Sequence, residues 1–153
     1  MQTACQSIRI SVQDQTLELL EGDQVLSSYP VSTSRFGVGT EVGSFKTPLG
    51  RFRIGEKIGS GLPSGTIFKS RVPVEPAEAP SGTDDLILSR ILWLEGLEEH
   101  NSNTRDRYIY IHGTKHENKI GTPASYGCVR MKSADLIDLF DQVPLGTEVV
   151  ILN

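Results

Sequence analysis

Short stretches of alternating apolar and polar residues, separated by turn-forming residues, occupy the first third of the chain. Residues 8–12, 16–20 and 25–32 are three such stretches, connected by the polar segments QDQ and EGDQ. A period of two is typical of half-buried strands, and short connections favour antiparallel hairpins. A glycine-rich segment from residue 36 then leads into GRFRIGEKI, residues 50–58, which alternates again. The pattern predicts an antiparallel meander, a long loop and a further strand pair.

Two more continuous apolar runs follow, LILSRILWL at 86–94 and RYIYIHG at 107–113. Runs that are apolar throughout are typical of strands covered on both faces, so we expect these two to be central in the sheet. The preceding segment, residues 60–85, is rich in proline and lacks periodicity. A loop of this length in a compact domain is usually functional or mobile, so the segment is a candidate lid. The alternative is a solvated insertion.

A single helix is indicated near the C-terminus. Ser133 is placed to be its N-cap, and Asp135 lies in its first turn, where the helix dipole favours an anion. Apolar residues recur at helical spacing at Leu136, Leu139, Phe140 and Val143. The segment PLG ends the helix, and residues 147–152 predict a closing strand. Together, these strands and the helix predict a mostly β fold with one packed C-terminal helix.

Composition and charge narrow the function classes. The 153 residues carry a net charge of −4 spread along the chain, which argues against nucleic acid as a partner. The length is most simply one domain spanning residues 1–153. No run approaches the length of a membrane span, and the N-terminus shows no signal-peptide pattern. We therefore expect no membrane insertion and a cytoplasmic protein, or a periplasmic one if the chain is trimmed from a longer protein.

Two residues have the chemistry for nucleophilic catalysis. His112 ends the strand 107–113 and precedes a glycine, so a rigid element would hold it at the mouth of the fold. Cys128 follows after a polar segment that can double back, and a cysteine nucleophile needs such a base nearby. Gly127 frees the backbone to direct the N–H groups of Tyr126, Gly127 and Cys128 towards an oxyanion. The alternatives are a structural histidine and a buried core thiol.

Ser125 and Arg130 flank the cysteine and favour the nucleophile, because a charged arginine is a poor neighbour for a fully buried thiol. Arg130 suits a planar carboxylate, which it can hold by two parallel hydrogen bonds, and its alternative is a surface ion pair. His112, His116 and Cys128 could also be drawn as three metal ligands, although their spacing matches no structural zinc motif.

These residues stand within an ordered series of motifs that resembles the L,D-transpeptidase catalytic domain of the YkuD type. YPVSTS followed by KTPLGRFRI is similar to the strands that open the family's pattern. YIYIHGT followed by SYGCVRM is similar to its histidine and cysteine motifs, and ADLIDLFDQVPLGTEVVIL to its helix and last strand. The resemblance covers nearly the whole chain and implies a β-sandwich or barrel of mixed strands.

The resemblance also implies roles. Cys128 would be the nucleophile, His112 its base, and the carbonyl of Gly113 the group that orients the imidazole. The oxyanion would be held by the N–H groups of Tyr126, Gly127 and Cys128. The floor of the substrate pocket would be shaped by Ser125 and Arg130. Tyr126 departs from the motif, which usually has histidine there, and could instead stack on substrate or donate a hydrogen bond.

The implied reaction is acyl transfer on a peptidoglycan tetrapeptide or muropeptide, without a cofactor. The nucleophile would attack the bond between the L-centre of a diamino acid, usually meso-diaminopimelate, and the terminal D-alanine. Water would resolve the thioester in an L,D-carboxypeptidase of murein recycling, and an amine in an L,D-transpeptidase. The lack of an export signal favours water, since the members that cross-link the wall are exported. A catalytically silent binder of these peptides is the alternative of another class.

Overall fold

The computed structural model describes residues 5–81 and 85–153. Within these residues it contains ten strands, one α-helix and three short 3-10 turns. The strands are β1 (Gln6–Ser11), β2 (Thr16–Glu21), β3 (Gln24–Ser32), β4 (Gly50–Ile58), β5 (Ile67–Lys69), β6 (Val72–Val74), β7 (Ile87–Gly96), β8 (Tyr110–Gly113), β9 (Val129–Met131) and β10 (Glu148–Leu152). The helix is α1 (Ser133–Gln142), and the 3-10 turns are Pro76–Glu78, Glu99–Asn101 and Glu117–Lys119.

The strands close into a barrel. Around the ring the order is β4, β10, β1, β2, β3, β9, β8 and β7, and β7 pairs with β4 to complete it. The predicted meander of β1, β2 and β3 is antiparallel, whereas β1 pairs parallel with β10 and β8 pairs parallel with β9. The mixed barrel with one helix confirms the predicted fold class. Closure also pairs the edges that an open sheet would expose.

Strand β7 explains the continuous apolar run in its sequence. Leu92 and Leu94 belong to the core cluster inside the barrel, whereas Ile91 and Trp93 belong to a second apolar cluster that also contains Phe68 of β5. Successive side chains of a strand point to opposite faces, so both faces of β7 are buried. The predicted central position of this strand is therefore confirmed.

Helix α1 packs against β7 and β8. The four predicted apolar positions all join the main core cluster: Leu136, Leu139, Phe140 and Val143. The predicted N-cap is wrong by one residue, because Lys132 holds the cap position and Ser133 is the first helical residue. The N–H of Ser133 donates instead to the Glu117 carboxylate at 2.8 Å. A carboxylate from a neighbouring turn thus replaces the cap that the helix does not supply itself.

The segment 60–85 contains a hairpin where the sequence predicted only a loop. Strands β5 and β6 pair antiparallel, and β5 also pairs antiparallel with Ile87 and Leu88 at the start of β7. Three-residue strands are too short for alternation to be visible, so pairing with a neighbouring strand rather than a local pattern forms them. Residues 82–84, the last part of the candidate lid, lie outside the described residues. No helix in the described ranges has the length and apolar character needed to cross a membrane.

Candidate active site

His112 is held at the end of β8 by its own strand and by the next peptide unit. Its side chain is completely buried, and Nδ1 donates a hydrogen bond to the carbonyl of Gly113 at 2.6 Å. A carbonyl oxygen can only accept, so Nδ1 carries the proton and Nε2 carries the lone pair of a neutral imidazole. Among the described residues, Nε2 has no hydrogen-bond partner. The histidine is therefore oriented as a base with Nε2 as its acceptor atom.

Strand β7 passes so close to position 113 that only a glycine fits there. A Cβ at this position would lie 2.6 Å from the carbonyl oxygen of Leu88 and 3.1 Å from the Ser133 hydroxyl. Both neighbours belong to elements packed against β8, so neither can withdraw without moving β7 or α1. The absence of a side chain lets β7 pair with β8 at this point and keeps the Gly113 carbonyl beside His112.

Cys128 is presented by a tight turn that directly precedes β9. Gly127 adopts φ +121°, a conformation open to glycine but strained for other residues. The buried Ser125 hydroxyl donates to the carbonyl of Cys128 at 2.6 Å and accepts from the N–H of Gly127 at 3.3 Å. The Thr47 hydroxyl donates to the carbonyl of Gly127 at 3.0 Å. Ser125 thus organises the turn from within and does not line the cavity of Cys128.

The parallel pairing of β8 and β9 places the thiol and the imidazole on neighbouring segments, two positions apart in register. Val129 lies opposite Ile111 and Arg130 opposite His112, so Cys128 stands beside Tyr110. The Cys128 Sγ accepts from the N–H of Tyr110 at 3.3 Å and donates to the carbonyl of Tyr108 at 3.4 Å. The side chain of Cys128 is partly exposed and lines a cavity of about 300 Å³.

Both groups are neutral in the resting site. Burial raises the pKa of the Cys128 thiol to about 12, and the nearby Asp85 carboxylate acts in the same direction. The Tyr110 N–H, Arg130 and Arg107 oppose that rise. Burial also lowers the pKa of His112, against the opposing influence of Asp85. A neutral thiol of this kind would release its proton during attack rather than store a thiolate beforehand.

Arg130 differs from the expectation of an exposed carboxylate binder. It is one of the largest fully buried side chains, with 1% exposure. Its Nε and Nη2 both donate to Asp85 Oδ1, at 3.1 and 2.7 Å. A carboxylate of the chain itself thus binds the Nε and Nη2 edge of the guanidinium. Arg130 is not among the residues that line the cavity.

The cavity beside Cys128 is lined by several separate segments of the chain. Phe45 comes from the glycine-rich segment before β4, Ser70 and Arg71 from the β5–β6 turn, and Asp85 from the residues before β7. The remaining described lining residues are Ile87, Arg107, Tyr108, Ile109, Tyr110 and Tyr126. Sequence analysis missed Arg71, Asp85 and Arg107. None of them stands in a motif, and only the pairing of distant segments brings them to the thiol.

Tyr126 belongs to an aromatic cluster at the rim. Its ring centroid lies 5.9 Å from that of Phe36 and 6.2 Å from that of Phe45. The Arg35 guanidinium stacks on it at 4.5 Å. Phe36 and Phe45 are about half exposed, at 48% and 55%. The tyrosine therefore completes an apolar wall that faces the cavity.

Other cavities lie outside the Cys128 pocket. One, of about 400 Å³, adjoins it through the shared residues Phe45, Arg107, Ile109 and Tyr126. A larger one, of about 640 Å³, is lined by Pro63 to Ile67 and Pro73 to Glu78 and includes neither His112 nor Cys128. In residues 5–81 and 85–153, no three His, Cys, Asp or Glu side chains come together as they would to hold a metal ion.

Sequence comparison relates the chain to one family. The family described as L,D-transpeptidase catalytic domain (YkuD) matches residues 6–151. A putative L,D-transpeptidase YkuD of Bacillus subtilis is 28% identical over 144 residues, which are 94% of this chain and 64% of the relative. A probable L,D-transpeptidase YbiS of Escherichia coli is 33% identical over 78 residues, 51% of this chain and 22% of that protein. The chain thus spans less than two thirds of the length of these relatives.

Solved structures share the fold at low identity. An L,D-transpeptidase from Xylanimonas cellulosilytica superposes with a TM-score of 0.65 at 19% identity, covering 98% of this chain and 61% of that one. L,D-transpeptidase 3 from Mycobacterium tuberculosis, in complex with a faropenem-derived adduct, gives a TM-score of 0.65 at 15% identity, covering 97% and 60%. The family match over nearly the whole sequence confirms the resemblance seen in the motifs, and the chain belongs to the L,D-transpeptidase catalytic domain family.

Proposed function

We propose that this protein is a cysteine acyl-transfer enzyme that acts on peptidoglycan stem tetrapeptides. One observation carries the proposal. The Nδ1 of His112 is anchored to the Gly113 carbonyl, which leaves Nε2 as a base next to the strand pair that presents Cys128 to a cavity. A nucleophile, a base and a group that orients the base are the parts that acyl transfer requires.

The first half-reaction forms a thioester and releases D-alanine. The Cys128 Sγ attacks the carbonyl carbon at the L-centre of the diamino acid while its proton moves to His112 Nε2. The oxyanion would be held by the N–H groups of Tyr126 and Cys128, because that of Gly127 already donates to Ser125. Each aligned donor is worth about 3 kcal/mol in such a transition state. The C–N bond then breaks, and the proton passes from Nε2 to the leaving amine.

The charges along the cavity fit an acidic substrate. Stem peptides carry several carboxylates, and Arg71 and Arg107 both line the cavity of Cys128. Arg107 Nη2 donates to the carbonyl of Lys46 at 2.7 Å, so this guanidinium is held in place by a neutral group. Arg130 and Ser125, which we expected to form the floor, would act from below by fixing Asp85 and the turn of Cys128. We assign the recognition of substrate carboxylates to Arg71 and Arg107.

The second half-reaction depends on what attacks the thioester. Water needs no binding site of its own, so we propose hydrolysis, an L,D-carboxypeptidase reaction, as the outcome with a single tetrapeptide. Transfer to an amine, an L,D-transpeptidase reaction, is the second candidate. The cavity of about 400 Å³ that adjoins the Cys128 pocket favours it, because a second stem peptide could approach from there.

One assay tests both halves of the reaction. The protein is incubated with a disaccharide-tetrapeptide, alone and with a second stem peptide or a free D-amino acid, and the products are resolved by mass. We expect tripeptide and D-alanine alone, and dimers or exchanged termini if an amine competes with water. Intact-protein mass should show an acyl adduct, and a Cys128→Ala variant should lose both adduct and products.

Cys5→Ser is the matched control, since Cys5 is the other free cysteine and is exposed. It should retain full activity. Release of D-alanine by the Cys128→Ala protein would refute the proposal. Saturable binding of tetrapeptide without adduct or turnover would instead establish the catalytically silent binder.

A further inference from the structure

An ion pair between a buried arginine and a partly exposed carboxylate lies beside His112. Arg130 is 1% exposed, and its Nε and Nη2 both bind Oδ1 of Asp85. Removing a charge from water is costly unless a partner compensates it, so the carboxylate is held firmly in this position. Asp85 comes from the residues before β7, and Arg130 lies on β9, so the pair joins two separate segments of the chain.

The same carboxylate oxygen faces the base. Asp85 Oδ1 lies 4.0 Å from His112 Nε2, the ring atom that would receive the proton of Cys128. On the opposite side of the ring, Nδ1 is bonded to the Gly113 carbonyl. The imidazole is therefore placed between a carbonyl and a carboxylate, and both of these groups favour its charged form.

We propose that Asp85 is a positioning residue of the acyl-transfer site, which stabilises the imidazolium that His112 becomes while it carries the Cys128 proton. Arg130 holds the carboxylate in place through two hydrogen bonds. Asp85 itself neither gains nor loses a proton in this scheme. The kinetic part of the inference rests on the function proposed above, whereas the effect on the histidine does not.

The location of charge explains why such a carboxylate would help. At rest, Asp85 opposes ionisation of the Cys128 thiol, so no thiolate is favoured before substrate binds. During attack the thiol proton moves to His112, which becomes positive, and the negative charge develops on the substrate oxygen. The carboxylate then stabilises the transition state more than the neutral resting pair, which is the condition for faster chemistry.

Other charged and titratable groups surround Asp85 and His112, and a test of Asp85 must leave them unchanged. They are Arg130 on β9, Arg71 in the β5–β6 turn, and Arg107, Tyr108 and Tyr110 in and before β8. Of the described groups, only Asp85 contributes a negative charge to the cavity lining. Removal of its charge should therefore change the histidine in one direction, towards a lower pKa.

Titration of His112 by NMR tests the inference without substrate. In a Cys128→Ser background, Asp85→Asn should lower the pKa of His112 by about one unit, as expected for loss of an opposite charge at this distance. Asp85→Glu, which retains the charge, should restore most of the shift. Glu75→Gln removes an exposed carboxylate from the same segment and should leave the histidine unchanged.

Kinetics of the enzyme with intact Cys128 give a second readout. Asp85→Asn should reduce kcat for D-alanine release by about tenfold, the equivalent of one pKa unit, while KM stays within about twofold. If the unpaired Arg130 prevents folding, the double variant Asp85→Asn with Arg130→Met removes the whole ion pair and should still lower the pKa of His112, by a smaller amount.

The two proposals fail separately. A His112 that titrates at the same pH with and without Asp85, or that titrates in neither protein before acid unfolding, overturns the role of Asp85. A shift in the histidine without any release of D-alanine by the parent enzyme would support Asp85 and overturn the proposed function.

Discussion

Two regions of the molecule build the site in different ways. The barrel wall, strands β7, β8 and β9, is buried and supplies the base and the turn that carries the thiol. The cover, residues 36–47, 60–81 and Asp85, lies against it and supplies Phe45, Arg71 and the carboxylate. The proposed base thus stands on a paired strand and the thiol directly before one, whereas the groups that would meet substrate stand on turns.

Positive φ angles occur in both regions, so solvent exposure is what separates them. In the cover, Phe45, Ser70 and Arg71 adopt φ of 59°, 49° and 67°, and Ser89 in strand β7 of the wall adopts 75°. Such conformations are uncommon for residues with side chains and are maintained by the surrounding contacts. Val42 in the cover is 82% exposed, whereas Ile111 in the wall is not exposed at all. The comparison teaches that substitutions in the wall should affect chemistry and stability, and those in the cover should affect recognition.

The largest effect is expected at the base. His112→Gln removes the proton acceptor and should lower kcat for D-alanine release by about 10²–10⁴-fold, the usual contribution of general acid–base catalysis. Steady-state kinetics on the purified variant would measure this. His100→Gln, at an exposed histidine outside the cavity, is the control and should be indistinguishable from the parent protein. A loss of less than about tenfold would mean that another group takes the proton.

Core packing of the wall should give the next effect. Ile111 lies between Tyr110 and His112 on β8, and its side chain belongs to the core cluster inside the barrel. Ile111→Ala should lower the free energy of unfolding by about 2–5 kcal/mol, as measured by urea denaturation. Val72→Ala, at a 58% exposed position of the cover, should change it by less than about 0.5 kcal/mol. Equal losses at both positions would remove the distinction between wall and cover.

The reactivity of the Cys128 thiol gives a chemical test of the site. Burial raises the pKa of Cys128 to about 12, so the thiolate fraction at neutral pH is small and should grow as the pH rises towards that value. Without substrate, iodoacetamide should modify Cys128 about a hundredfold more slowly than an ordinary exposed thiol. Peptide mass spectrometry can compare it with Cys5 in one sample, and rapid modification of Cys128 at neutral pH would contradict a neutral resting pair.

Recognition by the cover should be measurable at the hairpin turn. Arg71 Nη1 donates to the Tyr110 hydroxyl at 3.1 Å, and its guanidinium lies 5.1 Å from the ring centroids of Trp93 and Tyr108. Arg71→Gln should raise KM for the tetrapeptide about tenfold, which corresponds to about 1.4 kcal/mol, with kcat little changed. Lys69→Gln on the same hairpin, outside the cavity, is the matched control. The assignment fails if both variants behave alike.

The smallest effect is expected at the start of α1. The Glu117 carboxylate accepts the Ser133 N–H at 2.8 Å in place of an N-cap side chain. Glu117→Ala should destabilise the protein by about 1 kcal/mol, the usual value of a lost cap, with no change in KM. Thermal unfolding would detect it. Lys119→Ala, in the same 3-10 turn, should be close to neutral and separates the cap from the turn itself.

Elements with enough residues to show a period were predictable. The alternating stretch at 50–58, from which we expected a strand pair, forms the single strand β4, and the predicted apolar positions around α1 are buried. Strands β5, β6 and β9 have three residues each and were not predicted. Segments of this length carry no readable pattern, and they become strands only because a partner strand lies beside them.

The sequence by itself determined the candidates for the reactive centre. His112, Gly113 and Cys128 stand in short motifs whose chemistry is local, and their order along the chain matches the family that the comparisons confirm. Only the tertiary structure decided what surrounds them. Asp85 and Arg130 are 45 residues apart, and Arg71 reaches Tyr110 across 39 residues. Contacts of that range depend on how the barrel closes and how the hairpin pairs with β7, which no local pattern of residues encodes.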